Sequence, residues 1–497
     1  MAGERPGCAE SFGLGAHRAL PFLRSRPLRL TCEPRPGAQH PLTHLGCSLR
    51  DRVHGHCDPE DAGARHPLEH VPGLTPVVSP GRQTSPLDDG PLTPMTTYLE
   101  ADLPVLDLLA LPTAADQRRA LAEARVAAPL AKGPLGPIVV SHRDVTNLLR
   151  DRRLRGPGMD LPRRSGIPEG SFAWQQMERV LLFMEGDDHA RLRRLLAKAF
   201  TPRSVDALRP SARRIISGLI DSVDADGRCD AVRSLCEPYP VPVICELVGI
   251  ETDRWRDMAR WANAILHSIR FDAGAYRALI EDAGHEMCAF LDELIEQRRA
   301  NPGDDLLSRL IAVGEEGEHL SHFDLQIAVQ QMLVAGTDTT RHQLGNIVHT
   351  FARHPDQWAL LRQRPELVPT AVEEAIRWEP TASMLPRVAL EDLEVGGYTI
   401  PAGTFVALSS ASANHDSDVL DGSDRFDITR GYPESWHLLT FGGGIHYCLG
   451  ASLARLELTE ALAVFVERFE TLRLDGEPEV LPAGGLFGYR SLPISWR

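Results

Sequence analysis

The sequence has 497 residues, 43% of them hydrophobic and 24% charged, and a chain of this kind can bury a large core. Its formal net charge of -15 argues against nucleic acid and anionic membranes as partners, since both repel an acidic protein. The sequence has no apolar run long enough to span a membrane, and its nine cysteines lack the regular spacing of a disulfide framework. We therefore expect a cytoplasmic, monomeric protein without a membrane anchor.

The first 94 residues differ in composition from the rest of the chain. They contain fourteen of the 38 prolines and eleven of the 41 glycines, and they show no helical or strand periodicity. Such a segment buries too little apolar surface to offset the entropy cost of ordering. We predict that 1–94 is a disordered leader or a misassigned start, and that one domain extends over 95–497. A zinc site in His54–Cys57, with Cys32 and Cys47, is a weaker alternative because the spacing matches no regular zinc finger.

From residue 95 onward helical periodicity dominates. Ser141 is predicted to cap a helix that runs towards Leu154, after a short strand over Gly136–Val140. Ser321 and Asp324 form the pattern of a capping box at the start of a long helix. Further helices are predicted over Arg191–Phe200, Val205–Val223, Ala275–Arg299 and Pro369–Trp378, and strands over Leu393–Ile400, Thr404–Leu408 and Leu472–Leu474. The fold is therefore predicted to be mainly α, with small β-sheets.

The segment from Phe441 to Gly450 reads FGGGIHYCLG. Its three consecutive glycines let the backbone adopt positive φ angles and approach a flat ligand closely. Cys448 comes directly before a predicted helix over Leu449–Phe465, and the amide groups at a helix start stabilise a thiolate. A thiolate of this kind is a strong axial ligand of haem iron. Any single cysteine is more often an inert buried thiol, but five positions here agree with the pattern Phe-x-x-Gly-x-His-x-Cys-x-Gly.

On this motif the chain resembles the cytochrome P450 family, and in particular its soluble, ferredoxin-dependent bacterial branch. The resemblance extends over roughly 95–497. It implies a single triangular, mainly α-helical domain that holds haem b between two long helices, with Cys448 as the iron ligand and Phe441 beside the cofactor. It also implies the activity of a haem-thiolate monooxygenase, which inserts one oxygen atom from O2 into a hydrophobic organic substrate.

A second motif, AGTDTT over 335–340, lies in the middle of the long helix that begins near Ser321. Gly336 lacks a side chain, so the helix can pass close to the haem face. Thr339 can bond to a carbonyl one turn earlier and open a pocket for dioxygen. The stretch resembles the family's acid–alcohol motif, which implies that Asp338 and Thr339 deliver protons and that Ala335 and Gly336 bind the cofactor. Without that resemblance, the same residues would more often form a polar helix face or a cap.

Glu374 and Arg377 carry opposite charges three residues apart on one predicted helix face. In isolation such a pair is a surface contact of less than about 1 kcal/mol. The family resemblance implies a buried structural pair, joined by a third residue at Arg425. The family usually has a proline two residues before that arginine, where this chain has Ser423, and we expect a small loss of turn rigidity.

Haem carries two propionates, which require cationic or hydrogen-bond-donating partners. The resemblance places four candidates at matching positions: His189, Arg193, Arg387 and His446. Arginine suits carboxylates because its planar guanidinium forms two parallel hydrogen bonds. For His189 and Arg193 the alternative is a solvated basic helix face, since Arg191 and Arg194 lie beside them.

The resemblance also implies a mostly apolar substrate pocket on the distal side of the haem. Helices over Asp253–Ile269 and Ala275–Arg299 would form a mobile lid above it. The alternative is that several of the expected lining residues are ordinary core residues. These lining residues are Leu333, Val334, Ala335, Ala382, Ser383, Met384, Leu385, Leu486 and Phe487.

No flavin or nicotinamide domain is recognisable in the sequence, because no Gly-x-Gly-x-x-Gly pattern follows a predicted strand. The expected electron donor is therefore a separate ferredoxin with its NAD(P)H-dependent reductase. A docking patch for the ferredoxin is predicted at Arg193, Arg194 and Arg455.

Three other functions stay open from the sequence. The same fold can use peroxide or catalyse a rearrangement, but the Asp338–Thr339 pair argues against this because such enzymes have less need for a proton relay. A non-enzymatic haem or small-molecule binding protein is a second alternative. A cysteine hydrolase using Cys448 and His446 is the weakest, because no acid or amide near in sequence would orient the histidine.

Overall fold

The structure is a computed structural model that describes residues 96–111, 113–198, 200–315, 320–481 and 486–497. The predicted leader over 1–94 and the alternative zinc site within it lie outside these residues. None of the described helices combines the length and the apolar composition needed to cross a membrane.

The α-helices are α1 Ala114–Ala127, α2 His142–Leu148, α3 Asp160–Arg164, α4 Phe172–Met177, α5 Gly186–Ala197, α6 Pro202–Asp206, α7 Arg209–Asp221, α8 Pro240–Val248, α9 Trp255–Leu266, α10 Arg277–Ala300, α11 Leu306–Glu315, α12 His322–Arg353, α13 Pro355–Gln363, α14 Val368–Trp378, α15 Ser410–Ala413 and α16 Ala451–Arg468. The strands are β1 Leu130–Gly133, β2 Gly136–Val139, β3 Leu154–Arg155, β4 Arg228–Asp230, β5 Met384–Ala389, β6 Leu393–Val395, β7 Tyr398–Ile400, β8 Phe405–Ser409, β9 Arg473–Leu474, β10 Glu479–Val480, β11 Tyr489–Ser491 and β12 Pro493–Ser495.

The strands form small sheets between the helices. The largest has the order β1-β2-β8-β5-β3, in which only β2 and β8 run parallel. A three-stranded sheet has the order β4-β12-β9, and β6–β7 and β10–β11 form two-stranded ladders. The prediction of a mainly α fold with small sheets is confirmed.

The core is organised around α12, which has 32 residues and extends about 48 Å at the usual helical rise. The predicted capping box is present: the Ser321 side chain accepts from the Asp324 amide, and the Asp324 carboxylate accepts from the Ser321 amide. The helix packs against α8, α9, α14 and α16. Leu344, Ile347 and Phe351 on its buried face have no exposed surface, and each contributes roughly 2 kcal/mol through burial. This packing fixes the middle of α12, where the second sequence motif lies.

Two predicted elements are divided in the structure. The helix predicted over Val205–Val223 is two helices, because Pro210 has no amide hydrogen to continue α6 and occupies the first turn of α7 instead. The strand predicted over Leu393–Ile400 is the β6–β7 hairpin. Gly396 and Gly397 form its turn with positive φ angles of 58° and 86°, a conformation that glycine adopts without strain.

The predicted cap at Ser141 is also present, since its hydroxyl accepts a hydrogen bond from the Asp144 amide. The helix that it caps, α2, ends at Leu148 and not near Leu154. Leu154 already lies in β3, where it pairs with Ala389 of β5. Sheet pairing therefore decides this helix end, and local propensity does not.

Candidate active site

The segment around Cys448 is shaped by backbone contacts. The Cys448 amide donates to the Phe441 carbonyl at 2.9 Å, which closes the segment into a loop. Gly442 and Gly444 adopt positive φ angles of 73° and 65°. A Cβ atom on Gly444 would overlap the carbonyl oxygen of Leu149. This glycine is therefore required by a protein neighbour, whereas the sequence predicted a close approach to a flat ligand.

The thiol of Cys448 lies just ahead of α16, which begins at Ala451, slightly after the predicted start. The side chain is accessible, although protein atoms surround it on most sides. The resulting desolvation raises the pKa of the Cys448 thiol, while the Gly450 amide and the charges of Arg193 and Arg455 act in the opposite direction. The protein thus supplies a hydrogen-bond donor and two positive charges that favour a thiolate, against the cost of desolvation.

His189, His446 and a carboxylate absent from the prediction form one cluster. The rings of His189, on α5, and His446 are 4.7 Å apart. His446 Nε2 lies 2.9 Å from Glu185 Oε1, and the same oxygen accepts from the Gly156 amide at 2.5 Å. Burial acts to raise the pKa of Glu185, but the hydrogen bonds from His446 and Gly156 outweigh it and hold this pKa below its usual value. The prediction from the sequence missed Glu185, because its only signal there is an acidic residue directly before α5.

One of the predicted propionate partners has a buried nitrogen without a protein partner, and another is a buried arginine without an ion pair. His189 Nε2 is buried without a hydrogen-bond partner among the described residues, and burial together with the charges of His446 and Arg193 lowers the pKa of His189 to about 4. Arg387 is 7% exposed and donates to the Pro386 carbonyl at 2.8 Å. It forms no ion pair within the described ranges, and burial lowers its pKa. The charge of Glu185 acts against this lowering. A buried guanidinium without an ion pair is costly, so Arg387 is a candidate partner for an anionic ligand.

The middle of α12 presents an accessible strip on a helix that is otherwise largely buried. Ala335 is exposed, and Val334, Gly336 and Thr339 are partly exposed. The Thr339 hydroxyl donates to the Ala335 carbonyl at 2.8 Å, which is the bond to the preceding turn that the sequence predicts. The strip carries no large side chain, so a planar ligand can lie against it.

Gly336 has a packing role that the sequence analysis did not predict. A Cβ atom on Gly336 would lie 2.5 Å from Cδ1 of Ile244 in α8. The glycine therefore permits close packing of α12 on α8, and its predicted contact with the cofactor stays a prediction. Of Ala335 and Gly336, Ala335 is the more exposed residue.

Asp338 and Thr339 have different partners although they are adjacent in sequence. Asp338 is 4% exposed, and its Oδ1 lies 2.8 Å from an amino nitrogen of Arg341. Burial raises the pKa of Asp338, and the charge of Arg341 acts against this rise. Within the described structure no hydrogen bond joins Asp338 to Thr339. A proton can pass between them after a rotation of Asp338 or through a bridging water.

The Glu374–Arg377 pair has no exposed side-chain surface, and Arg377 donates to both carboxylate oxygens at 2.7 Å. The third member differs from the prediction: Arg430, and not Arg425, contacts Glu374 at 3.3 Å. Arg425 is exposed and contributes only its carbonyl, which accepts from Arg377 at 2.8 Å. Ser423 likewise accepts from Arg377 through its carbonyl at 2.8 Å. The loop was located correctly, but spacing alone does not show which side chain turns inward.

The predicted substrate-pocket residues divide into two groups. Val334, Ala335 and the segment 382–385 are at least partly exposed, whereas Leu333 is fully buried in the core. Phe487 is partly buried, and its amide donates to the Thr381 carbonyl at 2.8 Å. This bond joins the C-terminal segment to the residues just before β5. Most of the predicted lining residues are therefore not part of the buried core and can contact a substrate, whereas Leu333 cannot.

The described groups fit haem, a planar macrocycle with an iron atom and two carboxylates. Cys448 offers an accessible sulfur, and Ala335 offers a helix face without bulk. His189 offers a buried ring nitrogen that has no protein partner. Arg387 and Arg193 each donate to one backbone carbonyl, at 2.8 and 2.6 Å, and neither forms an ion pair within the described residues.

Comparisons with known proteins return one family. A family model described as Cytochrome P450 matches residues 255–364 and 361–496. Luteothin monooxygenase from Streptomyces thioluteus is 37% identical over 404 residues, which cover 79% of this chain and 96% of that protein. Nocardicin C N-oxygenase from Nocardia uniformis subsp. tsuyamanensis is 38% identical, over 72% of this chain and 89% of that protein. The crystal structure of the myxobacterial cytochrome P450 CYP267B1 in complex with myristic acid matches with a TM-score of 0.69 and 31% identity, over 76% of this chain and 96% of that one.

Proposed function

This chain belongs to the cytochrome P450 family and is a haem-dependent monooxygenase, and from that premise we propose that it oxidises an apolar organic substrate with electrons from a ferredoxin. The observation that carries the proposal is the Cys448 loop, where an accessible thiol lies near the charges of Arg193 and Arg455. The Gly450 amide adds a hydrogen bond to the sulfur. These groups stabilise the thiolate that an iron ligand requires.

When bound, haem supplies the chemistry that no side chain has: it activates O2 so that one oxygen atom enters the substrate and the other leaves as water. Cys448 would provide the sulfur ligand to the iron. The propionates would be met by Arg387, Arg193, His189 and His446. Arg387 and His189 are the strongest of these, because Arg387 is buried without an ion pair and His189 Nε2 is buried without a hydrogen-bond partner in the described part of the protein.

Asp338 and Thr339 would move protons on the opposite side of the site. Burial raises the pKa of Asp338, so its carboxyl group holds a proton at a higher pH than an exposed aspartate does. The Thr339 hydroxyl donates to the Ala335 carbonyl, which leaves its oxygen lone pairs free to accept a hydrogen bond. Thr339 can therefore take a proton from the buried side and release its own proton towards the accessible strip.

The predicted lining residues that are accessible favour an apolar substrate. Val334, Ala335, Met384 and Leu385 are apolar and at least partly exposed. Such surfaces bind organic molecules mainly through burial of hydrocarbon, with few polar contacts. The complex of CYP267B1 with myristic acid is an example of an apolar ligand in a relative of the same fold.

The proposed surface for the ferredoxin lies beside Cys448. Ile445 and Tyr447 are 58% and 40% exposed and form an apolar pair. Arg193 donates to the Tyr447 carbonyl, and Arg455 lies 3.3 Å from the Tyr447 hydroxyl, so cations flank this pair. An apolar centre flanked by arginines suits an acidic protein such as a ferredoxin.

The proposal is tested by reconstitution with a surrogate ferredoxin, its reductase, NADPH and 18O2. The probes are a panel of apolar acids, steroids and macrolides, with myristic acid first. We expect a product that contains one 18O atom and forms only when the ferredoxin is present. Product formation from peroxide alone would favour the peroxide-driven alternative. Bound haem without any product would favour a binding protein.

The cysteine-hydrolase alternative gains one feature from the structure, because Glu185 orients His446 at 2.9 Å. It still assigns no role to the buried Arg387 or to Asp338. Membership of the P450 family decides against it.

A further inference from the structure

Glu379 is a buried carboxylate to which the proposed function gives no role. It directly follows α14, and its side chain is only 3% exposed. Three elements that are far apart in the sequence supply its partners. The Tyr489 hydroxyl of β11 donates to Oε1 at 2.6 Å, His349 Nδ1 of α12 lies 3.4 Å from the same oxygen, and Arg118 of α1 donates to Oε2 at 3.4 Å.

These partners keep Glu379 ionised although it is buried. Burial acts to raise its pKa, but His349, Arg118 and the Tyr489 hydroxyl outweigh this effect and hold the pKa of the carboxyl below its usual value. A buried carboxylate is costly to leave unpaired, so the contacts with these partners are strongly favoured. The rings of Tyr489 and His349 also pack together, with their centroids 4.8 Å apart. Tyr489 is thereby held against α12.

The main chain around Glu379 is attached to α12 as well. Gln343 and Asn346 each donate a side-chain amide to the Glu379 carbonyl, at 3.0 and 3.1 Å. The oxygen of the Gln343 side chain accepts from the Thr381 amide at 3.0 Å. Both side chains of α12 are buried. The residues that lead from α14 towards β5 are therefore bonded to the helix that carries the accessible strip.

The two chain segments that meet at Glu379 are both predicted to line the substrate pocket. One continues from Glu379 into 382–385, and the other contains Phe487 and continues into β11 with Tyr489. Phe487 donates its amide to the Thr381 carbonyl and accepts from the Thr381 hydroxyl, both at 2.8 Å. The bond between Glu379 and Tyr489 therefore closes the same junction, next to the lining residues of both segments.

We propose that Glu379 is a positioning residue for the substrate: its carboxylate holds β11 at the end of α14 and thereby sets the spacing of the two lining segments. The inference rests on the proposed function, because it requires that these segments contact the bound substrate. Glu379 acts through other residues, since its own carboxylate is enclosed by protein side chains. A change at Glu379 is therefore expected to alter the fit of a bulky ligand, whereas a purely architectural role predicts a loss of stability alone.

The test compares two probes that bind haem iron through the same kind of imidazole nitrogen. Imidazole itself is small, whereas 1-phenylimidazole carries an apolar ring that has to fit between the lining segments. We expect Glu379→Gln to lower the affinity for 1-phenylimidazole by about tenfold and to leave the affinity for imidazole unchanged, because displaced lining residues lose part of their contact with the ring. Titrations followed by the Soret band of the haem-bound protein measure both dissociation constants.

A second variant addresses the same bond from its other side. Tyr489→Phe removes only the hydroxyl that donates to Glu379, and we expect a weaker effect in the same direction. The two changes act through one contact, so the double variant is expected to lose less affinity than the sum of the two single losses. Glu366→Gln, at a 64% exposed acid that pairs with Arg364, is the control without an effect.

An unchanged affinity for 1-phenylimidazole in Glu379→Gln, or equal losses for the two probes, would overturn the proposal even if the variant is less stable. A wild type that binds both probes equally well would overturn it too, because the lining segments would then make no contact with the ring. If Glu379→Gln does not bind haem, Tyr489→Phe decides alone by the same criterion. A wild type without the carbon monoxide spectrum of a thiolate-ligated haem contradicts the proposed function, whereas a normal spectrum with unchanged probe affinities contradicts only the positioning role.

Discussion

The Cys448 loop and the middle of α12 both contribute to the site, but different kinds of contact hold them. The Cys448 amide bonds to the Phe441 carbonyl, and Gly444 packs against another carbonyl, so the loop is fixed by main-chain atoms. Asp338 is held by a side chain, Arg341, which a second carboxylate also approaches. The position of Cys448 therefore depends on main-chain geometry, whereas the position of Asp338 depends on the side chain of Arg341.

Removal of the sulfur ligand has the largest expected effect. Cys448→Ala is predicted to abolish both the thiolate-type carbon monoxide spectrum and monooxygenase turnover, because no other side chain of the loop can replace the sulfur. Cys288→Ala, at a buried cysteine of α10, is the matched control and retains both. Turnover of Cys448→Ala at the wild-type rate would contradict the assignment of Cys448 as the iron ligand.

On the proton side, Asp338→Asn is predicted to bind haem normally and to lower the turnover rate by about 10²- to 10⁴-fold, the usual contribution of a positioned acid. Asp324→Asn, at the start of the same helix, weakens the cap and a partly exposed ion pair with Arg179, and it costs about 1 kcal/mol of stability. Initial rates per bound haem measure the difference. Equal rates for Asp338→Asn and the wild type would contradict the proposed proton path.

The buried Glu374–Arg377 pair belongs, like the Cys448 loop, to a part of the structure that is held in one arrangement. Glu374→Gln leaves Arg377 unpaired in the core, so we expect the free energy of unfolding to fall by about 3–5 kcal/mol, with little haem incorporated. Glu373→Gln, the adjacent residue, breaks only a half-exposed pair with Arg455 and costs less than about 1 kcal/mol. Urea unfolding and the ratio of haem to protein measure both effects. Similar losses in the two variants would show that the buried pair has no special role.

The identity of the third member of this network is a smaller test. Arg430→Met removes a charged donor to Glu374, and we expect a loss of about 2 kcal/mol in the free energy of unfolding. Arg425→Met removes an exposed side chain and is expected to cost less than about 0.5 kcal/mol. A larger loss in Arg425→Met than in Arg430→Met would support the prediction from the sequence that Arg425 is the third member.

The smallest expected effect concerns the ferredoxin surface. In Arg194→Gln/Arg455→Gln, the rate of reduction by ferredoxin is predicted to fall by about tenfold at low salt and to depend less on salt, because steering charges are lost. Arg213→Gln, on α7, is the control for a general change in charge. Stopped-flow reduction under carbon monoxide measures the rate. An unchanged rate and an unchanged salt dependence would show that the ferredoxin does not dock at this surface.

The local parts of the fold and site were predictable because their determinants are close together in the sequence. The capping box at Ser321, the bond from Thr339 to the preceding turn and the closed loop at Cys448 all depend on near neighbours. The turn at Gly396 and Gly397 carried an equally local signal, which the prediction of one continuous strand overlooked.

The remaining parts depend on contacts between distant segments. Nothing local distinguishes Arg430 from Arg425 as the partner of Glu374, because the path of the whole loop decides which side chain turns inward. Glu185 likewise acquires its role from segments far along the chain. The constraint on Gly336 comes from its packing against α8. Spacing in a single sequence does not contain these relations.

The central claim, a haem iron held by the Cys448 sulfur, is tested most directly by the absorption spectrum of the reduced, carbon monoxide-bound protein. The account predicts the strongly red-shifted Soret band of a thiolate-ligated haem, in the wild type and in Asp338→Asn alike. A band at the position typical of histidine-ligated haem, or no haem band at all, would contradict it.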